Sequence, residues 1–442
     1  WGMLALFVAT IVAIIAKAMP MGAATLVALV ISGLTGLTPL SPAKGEVGML
    51  SAFSNGTIWL IAIAMFLSRA VIKTGLGKRI ALYFVARFGK KMMGVAYGIA
   101  LADVVIGPGI PSASARGGGI MYPIMQSIAD AYDSKPGPTA RRAGAFLAIA
   151  VSQIDTIVCT MFLTAMAGNP LIAELAKGQG VEITWMTWFL GAIVPGIISL
   201  IVLPYFVYLI YPPELKDTPK MAEMAREELR NKGPMSKAEW ILALDFILLL
   251  FLWTVGDLVF HIPATVSAFI GLVILLLTNI MSWKNIVAET TAWDTMFWFA
   301  VLVMMANSLN KYGAIAWISS HISSSVGAFS WPVAFTILVL VYFYTRYFFA
   351  SAVAHISAMY LAFVAAAISV GTPPIIAALG LGYTSTLSMS LTQYAGGPGP
   401  ALYGSGYNST GQWWGVSFVT SIISLIIWFG AGGLRMKLLG WW

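Results

Sequence analysis

Charged residues are scarce in this chain, and so are cysteine and histidine. Of its 442 residues, 10% are charged and 59% are hydrophobic, and the mean hydropathy is +0.86. Soluble domains carry about 25% charged residues. A chain this apolar has too few polar side chains to cover a surface that faces water. Lipid must therefore be its solvent.

The scarcity of reactive side chains excludes most enzyme classes. The single cysteine, Cys159, excludes an intrachain disulfide framework and a zinc cluster of cysteine ligands. With three histidines, the chain has no His-Glu-x-x-His motif, and it also lacks a Walker loop and a Gly-x-Ser-x-Gly motif. We therefore expect no enzyme, no cofactor and no metal. The net charge of +8 does not indicate nucleic acid, because the basic residues gather beside apolar segments.

Long apolar runs fill most of the chain, and a helix needs about 20 apolar residues to cross a bilayer. Two stretches, 94–130 and 331–371, are broken in the middle by small polar residues, and we predict re-entrant hairpins there. Such irregular backbone is tolerated only where it is buried or lines a cavity. Simple spans are predicted near 2–18, 20–37, 55–72, 145–166, 187–210, 240–260, 263–281, 294–310, 375–393 and 412–434.

A charged segment divides the chain into two halves. Residues 212–239 are predicted to form a cytoplasmic linker with one short helix, 219–231. The halves, 1–211 and 240–442, are each predicted to contain five transmembrane helices, some of them broken, and one re-entrant hairpin. An odd number of crossings inverts the second half, and inverted repeats are typical of secondary transporters. A duplicated scaffold without transport activity is the alternative.

Matching segments recur in the same order in both halves. Gly75 in KTGLGKRIA matches Gly313 in KYGAIAWIS. The sequence Ser-Ala-Ser-Ala-Arg at 112–116 matches Ser-Ala-Val-Ala-His at 351–355, at nearly the same separation. Each match is weak alone, and their common order is what indicates a duplication.

Lysine and arginine gather on one side of the predicted spans, and the positive-inside rule makes that side cytoplasmic. It carries Arg69, Lys73, Lys78, Arg79, Arg87, Lys90, Lys91, Lys135, Arg141, Arg142, the linker bases and Lys284. The opposite side carries Lys44, Lys177, Lys311, Arg435 and Lys437. The first hairpin then enters from the cytoplasm and the second from outside. The chain starts outside, so we expect a further helix before Trp1.

The first hairpin tip, GPGIPSASARGGG at 107–119, is a candidate ligand site. Its prolines and consecutive glycines cannot continue an ordinary helix. The tip exposes backbone N–H groups and serine hydroxyls at the start of a half-helix, where a carboxylate is favoured. We predict that Arg116, one turn into this half-helix, contacts the carboxylate. Pairing of Arg116 with Asp103 or Asp155 is the alternative.

The second tip, FASAVAHIS at 349–357, places His355 where the first tip places Arg116. A histidine can change charge near neutral pH, so its protonation would act on transport. A hydrogen-bonded core histidine is the alternative. Arg346, shortly before Ser351, could support the site, and the interpretation favoured here is that it snorkels or pairs with an acid.

Two apolar spans are interrupted by glycine and proline, around 164–170 and 392–400. Unwound segments of this kind free backbone groups that meet a solute or an ion. A packing kink is the alternative at each break. The similar positions of the breaks in the two halves favour a site.

At these residues the chain resembles the divalent anion/sodium symporter family. It is most similar to the branch of citrate/succinate and tartrate/succinate exchangers and 2-oxoglutarate/malate translocators. The resemblance covers essentially the whole chain and is most specific at 111–124, 349–360 and 390–407. The family has a Ser-Asn-Thr motif at each tip that binds substrate carboxylates. The corresponding positions here are Ser112, Ala113 and Ser114, then Ser351, Ala352 and Val353, so neither tip has the amide.

The resemblance also implies a homodimer in the cell membrane whose transport domains move as elevators against a fixed scaffold. Sodium-coupled members bind sodium beside each tip, close to the places of Arg116 and His355. We predict that fixed protein charge replaces sodium in this chain. A fixed charge stays when the empty carrier resets, and moving it unpaired is costly. Sodium-independent exchange of dicarboxylates such as 2-oxoglutarate, succinate, malate or fumarate follows.

Other functions stay open: sodium-coupled di- or tricarboxylate symport, citrate/succinate or tartrate/succinate antiport, and an anion channel. The expected partners are dicarboxylates, membrane lipid and a second copy of the chain, without nucleic acid. The residues expected at the substrate site are Ser112, Ala113, Ser114, Arg116, Gly117, Thr164, Asn169, Pro170, Ser351, Ala352, Val353, His355, Thr392, Pro398 and Gly399.

Overall fold

The computed structural model describes residues 1–442, apart from the side chains of residues 257 and 258, and the described chain is helical without a β-strand. The first half contains α1 (Gly2–Ile15), α2 (Met21–Leu34), α3 (Gly56–Thr74), α4 (Leu76–Phe88), α5 (Met92–Ile106), α6 (Tyr122–Ala131), α7 (Gly144–Met161), α8 (Gly168–Lys177) and α9 (Trp185–Ile210). The linker contains α10 (Pro219–Lys232). The second half contains α11 (Lys237–Phe251), α12 (Asp257–Phe260), α13 (Ala264–Leu277), α14 (Trp283–Val287), α15 (Thr290–Lys311), α16 (Ala314–Val326), α17 (Trp331–Tyr344), α18 (Ala352–His355), α19 (Leu361–Ser369), α20 (Pro374–Leu387), α21 (Gly399–Gly404) and α22 (Thr410–Leu438).

Among the described residues, 9 helical segments are long and apolar enough to cross a membrane. Three helices are shorter than predicted: α1, α2 and α13 have 14 residues each, in place of spans at 2–18, 20–37 and 263–281. Lys17 and Gly36, with φ of 51° and 71°, lie just beyond the ends of α1 and α2. A left-handed residue cannot extend a right-handed helix, so these two helices stop early.

The helix α7 lies at the centre of the molecule. All of its residues, from Gly144 to Met161, are buried. It packs against α5, α9 and α20, and α20 is itself buried from Ile376 to Leu387. Only 33% of the apolar window of α9 is buried, which leaves much of that helix for lipid. The ends of α7 and α20 therefore lie inside the protein.

The first predicted hairpin, 94–130, is two helices joined by a break. The helix α5 ends at Ile106. A tight turn over Gly107–Gly109 and a short extended stretch follow, and a wide π-helical turn over Ser114–Met121 then leads into α6. Pro108 and Pro111 lack backbone N–H groups, so the helical hydrogen-bond ladder cannot continue through them. The break therefore falls at the prolines and glycines of residues 107–119.

The second predicted hairpin, 331–371, has the same form. The helix α17 passes through a tight turn and an extended residue, Phe349, before α18, a wide turn and α19. Met92–Gly109, Trp331–Phe348 and Ala352–Ser369 are each among the segments long enough to cross a membrane. The re-entrant course of the two hairpins therefore stays a prediction.

The helices α7 and α20 both give way to irregular backbone. After α7 the chain makes a tight turn over Leu163–Ala165 before α8. After α20 it makes another over Ser388–Ser390 and stays irregular up to α21. In this second break Gly396 and Gly397 have φ of 136° and 61°. Residues other than glycine rarely adopt such positive φ values.

The two halves share their order of elements. The series from α3 to α9 corresponds to the series from α15 to α22, with a hairpin tip and a helix break in each. Gly75, after α3, and Gly313, after α15, have φ of 74° and 75°. The matched glycines thus have the same backbone conformation. Inversion of one half relative to the other across a membrane stays a prediction.

The charged linker lies against the first half. Its helix α10 nearly coincides with the predicted 219–231 and packs on α4. The Thr218 N–H donates a hydrogen bond to the Lys90 carbonyl at 2.8 Å. Arg79 binds the Glu239 carboxylate at 2.7 Å. These contacts fix the linker to one end of the bundle.

Candidate functional site

Both hairpin tips line one cavity of about 330 Å³. The first tip contributes residues 111–114 and the second contributes residues 350–353. The remaining wall comes from the helix breaks and from two long helices, α3 and α15. It consists of Met65, Met166, Ala167, Thr291, Thr295, Met389, Tyr394, Gly396, Gly397 and Pro400. The structure therefore brings together the six tip positions that the sequence predicted.

Each tip starts a half-helix at a serine. The Ser112 hydroxyl accepts a hydrogen bond from the Ala115 N–H at 3.2 Å, and the Ser351 hydroxyl accepts one from the Ala354 N–H at 3.4 Å. The N–H groups of the residues between each serine and this alanine donor have no partner within their own helix. Two helix starts with free donors and partial positive charge on one cavity suit a ligand with two carboxylates.

The first tip is also bound to the second helix break. The Ser114 hydroxyl donates a hydrogen bond to the Gly397 carbonyl at 3.0 Å. A β-carbon on Gly397 would lie 3.6 Å from that of Ala113 and 3.7 Å from a carboxylate oxygen of Asp155. The two halves of the chain therefore meet at this cavity.

Arg116 lies behind the first tip and does not line the cavity. Its guanidinium is 0% exposed and binds the Asp103 carboxylate at 2.5 Å and the Asp155 carboxylate at 2.8 Å. The same group donates hydrogen bonds to the carbonyls of Ile110 and Ala165, both at 2.9 Å. The structure thus agrees with the alternative in which Arg116 pairs with Asp103 and Asp155. Direct contact between Arg116 and a ligand in this cavity is not supported, because acids and carbonyls already occupy the guanidinium.

His355 is also buried behind its tip. Its Nε2 lies 3.1 Å from the Tyr342 carbonyl and 3.1 Å from the Thr345 hydroxyl, and its ring packs between Tyr342 and Phe349. Its Nδ1 has no partner among the described residues. An imidazole that donates from one nitrogen to a carbonyl and leaves the other unpaired is best accommodated neutral. This geometry favours the core-histidine alternative over a charge that replaces sodium.

Arg346 is a second buried cation, beside the second tip. It is 0% exposed, and it donates hydrogen bonds to the Ser351 carbonyl at 3.0 Å and to the Ala395 carbonyl. No carboxylate among the described side chains forms an ion pair with it. It therefore neither snorkels nor pairs with an acid. Its position shortly before a tip serine, in a run of aromatic residues, was the available signal.

Thr164 and Asn169 hold the first helix break in place and lie outside the cavity. The Thr164 hydroxyl donates a hydrogen bond to the Pro108 carbonyl at 2.8 Å. The Asn169 amide donates to two carbonyls at the end of α7, at 2.7 and 3.0 Å, and accepts from the Thr386 hydroxyl at 2.7 Å. Asn169 thus joins the two broken helices to each other, and Thr164 joins the first break to the first tip.

Five further residues from the predicted site do not line the cavity. They are Gly117, Pro170, Thr392, Pro398 and Gly399. Gly117 packs so closely against Pro398 that a β-carbon would clash. The sequence missed Thr291 and Thr295, although their spacing places both on one face of α15.

Comparison with known proteins decides the family. All of the chain, residues 1–442, matches the sequence model described as the sodium:sulfate symporter transmembrane region. The chain belongs to the sodium:sulfate symporter family. This assignment confirms the resemblance to divalent anion/sodium symporters, and it identifies the helical bundle as a multi-pass membrane transporter.

Relatives within the sodium:sulfate symporter family extend over the whole chain. The putative malate transporter YflS of Bacillus subtilis is 48% identical and aligns with 100% of this chain over 91% of its own length. Dicarboxylate transporter 1 of Spinacia oleracea chloroplasts is 45% identical over 100% of this chain and 77% of its own. The L-tartrate/succinate antiporter of Escherichia coli is 34% identical over 87% of this chain and 79% of its own length.

A solved structure in the comparison shares the fold. The crystal structure of the Alcanivorax borkumensis YdaH transporter, described as having an unusual topology, superposes with a TM-score of 0.57. The alignment covers 93% of this chain and 89% of that one, at 13% identity. At this identity the similarity concerns the fold alone.

Proposed function

We propose that this symporter-family protein exchanges dicarboxylates across the cell membrane. The observation that carries the proposal is the single cavity of about 330 Å³ onto which both tips open. Each tip offers a serine hydroxyl and free N–H groups at a helix start, so one ligand carboxylate can be held at each end. Relatives named as malate, dicarboxylate and tartrate/succinate transporters support this substrate class.

Occupied carbonyl groups support exchange without sodium. Sodium beside a tip would need oxygen ligands from the tip and from the neighbouring helix break. The Ile110 and Ala165 carbonyls, at the first tip and break, accept hydrogen bonds from Arg116. The Ser351 and Ala395 carbonyls, at the second, accept from Arg346. Protein cations thus hold the oxygens that a sodium ion would use.

The balance of buried charges supports obligatory exchange. The charge that needs a ligand is that of Arg346 and not, as the sequence suggested, that of Arg116. Arg116 has two acids beside it, so its positive charge does not demand a ligand. Arg346 has carbonyl partners only. A buried cation without a counter-ion is costly to carry through a closed membrane barrier. The empty carrier should therefore reset slowly, and the carrier loaded with a dianion should cross readily.

Candidate substrates are 2-oxoglutarate, succinate, malate and fumarate, with citrate or tartrate as partners in a succinate antiport. A homodimer with elevator-like movement of the tips and helix breaks belongs to the same proposal. It is supported by the family resemblance.

The deciding experiment is uptake of radiolabelled succinate into proteoliposomes. Vesicles loaded with 2-oxoglutarate are compared with empty vesicles, with and without sodium. We expect uptake into loaded vesicles only, at the same rate with or without sodium. Sodium-dependent uptake into empty vesicles would establish symport instead, and current without counter-substrate would establish a channel.

A further inference from the structure

Two buried arginines make equivalent contacts in the two halves of the chain. Arg116 bridges a carbonyl at the first tip, from Ile110, and a carbonyl in the first helix break, from Ala165. Arg346 bridges the Ser351 carbonyl at the second tip and a carbonyl in the second helix break. Each guanidinium therefore clamps a tip to the break of its own half.

The acids around the two arginines differ. Arg116 has two carboxylates within ion-pair distance, from Asp103 and Asp155. Arg346 has none among the described side chains, and its Nε has no hydrogen-bond partner there. Its positive charge is therefore uncompensated within the part of the protein that the structure describes.

The uncompensated charge lies directly behind the cavity wall. A β-carbon on Gly396 would lie 3.6 Å from Nη2 of Arg346, and Gly396 lines the cavity. Ser351, whose carbonyl accepts from Arg346, lines it as well. A cation in a low-dielectric interior acts strongly over such distances, because there is little water to screen it.

We propose that Arg346 is a specificity-determining residue that favours a dianion over a monoanion of the same size. It acts through its charge from behind the second tip, while the helix starts and serine hydroxyls hold the carboxylates. The inference deepens the proposed dicarboxylate exchange and rests on it. It assigns the selection by charge to the second half and leaves Arg116 to hold the first tip in place.

The test compares succinate with succinamate, in which one carboxylate is a neutral amide of the same shape. The ratio of the two kcat/KM values for entry into loaded proteoliposomes is measured for the wild type, Arg346→Gln and Arg346→Lys. Arg435→Gln is the matched control, because Arg435 also donates to a carbonyl, that of Leu190 at 3.2 Å, but Leu190, unlike Ser351, does not line the cavity.

We expect the wild type to prefer succinate. Arg346→Gln should lower the succinate-to-succinamate ratio about tenfold, the effect of one modest charge interaction. Arg346→Lys should keep most of the preference, and Arg435→Gln should keep all of it. Equal losses for both substrates in Arg346→Gln would overturn the inference, because a purely structural role lowers both rates together.

A second measurement covers a variant that binds but no longer transports. Stabilisation against heat by succinate and by succinamate is measured on detergent-purified protein. A ligand preference that is unchanged in Arg346→Gln would overturn the inference. If the wild type exchanges no dicarboxylate, the proposed function fails, and this inference fails with it. If the wild type exchanges dicarboxylates but Arg346→Gln leaves the succinate-to-succinamate ratio unchanged, only the inference about Arg346 fails, and the proposed function stands.

Discussion

Two carboxylates and two backbone carbonyls surround the guanidinium of Arg116. Arg116 was predicted to meet the ligand because it lies on the first tip. Its acids come from two other helices, with Asp103 on α5 and Asp155 on α7. One guanidinium between two carboxylates makes Arg116 indispensable to the packing and makes either acid less so.

Loss of the guanidinium should therefore cost more than loss of one acid. We expect Arg116→Gln to lower the free energy of unfolding by about 3–5 kcal/mol, because it leaves two buried carboxylates without a counter-charge. Asp103→Asn leaves a one-to-one ion pair and should cost far less. Thermal unfolding in detergent, followed by tryptophan fluorescence, measures both, with Arg435→Gln as control. Equal losses in the two variants would contradict this charge balance.

At the residue scale, the sequence predicted the tip positions but not the roles of the charged side chains. Ser112 and Ser351 follow from prolines, glycines and the repeated Ser-Ala pattern, which are local signals. Whether Arg346 has an acid nearby depends on which helices pack against α17, and spacing along the chain does not contain that information. Spacing along the chain also does not show that His355 packs among neutral side chains.

Among the structural elements, the second helix break depends on glycine in a way that one substitution can test. Gly397 has φ of 61°, and its carbonyl accepts from the Ser114 hydroxyl. A side chain in this conformation costs about 1–2 kcal/mol. Space is not the obstacle, because a β-carbon would make only ordinary contacts with Ala113 and Asp155. The strain falls on the backbone that joins the two halves at the cavity.

We expect Gly397→Ala to reduce stability by about 1–2 kcal/mol and to slow exchange. Gly430→Ala is the matched control, since Gly430 lies within α22 with nothing within 4 Å of its β-carbon position. The control should be neutral or stabilising, because alanine favours a helix over glycine. Thermal unfolding and succinate exchange are measured on both. A faster or unchanged exchange in Gly397→Ala would show that the break does not need this conformation.

The existence of elements was easier to predict than their length. Proline and glycine marked both helix breaks, and the charged pattern marked α10 to within a residue of its observed end. The early end of α1 was not visible, because a lysine at φ of 51° has no sequence signature. Apolar residues continue beyond the last helical turn, so hydropathy alone overestimates such a span.

At the scale of the whole molecule, the inverted repeat makes a prediction about sidedness. Cysteine is introduced at exposed lysines in the Cys159 background, where the native thiol is buried. We expect Lys44→Cys and Lys177→Cys to react with a membrane-impermeant maleimide in intact cells. Lys135→Cys and Lys284→Cys should react only after permeabilisation. Labelling of all four from one side would contradict the predicted inversion.

Two different kinds of sequence signal indicate what the whole molecule is. Composition alone predicted a helical membrane protein, because so few side chains are charged. The assignment to a transporter needed the tip motifs, and the family match confirms it. The joining of the two halves at one cavity required the packing of α7 against α20, which no periodicity along the chain reveals.

The unequal surroundings of Arg116 and Arg346 give the cavity a direction. One end is backed by an arginine with two acids, and the other, in the part of the protein that the structure describes, by an arginine with none, although each tip starts a half-helix at a serine. A substrate whose two ends differ, such as malate or 2-oxoglutarate, would then bind in one preferred orientation. The two halves are thus alike in their order of elements, and yet the carrier they form would distinguish one end of its substrate from the other.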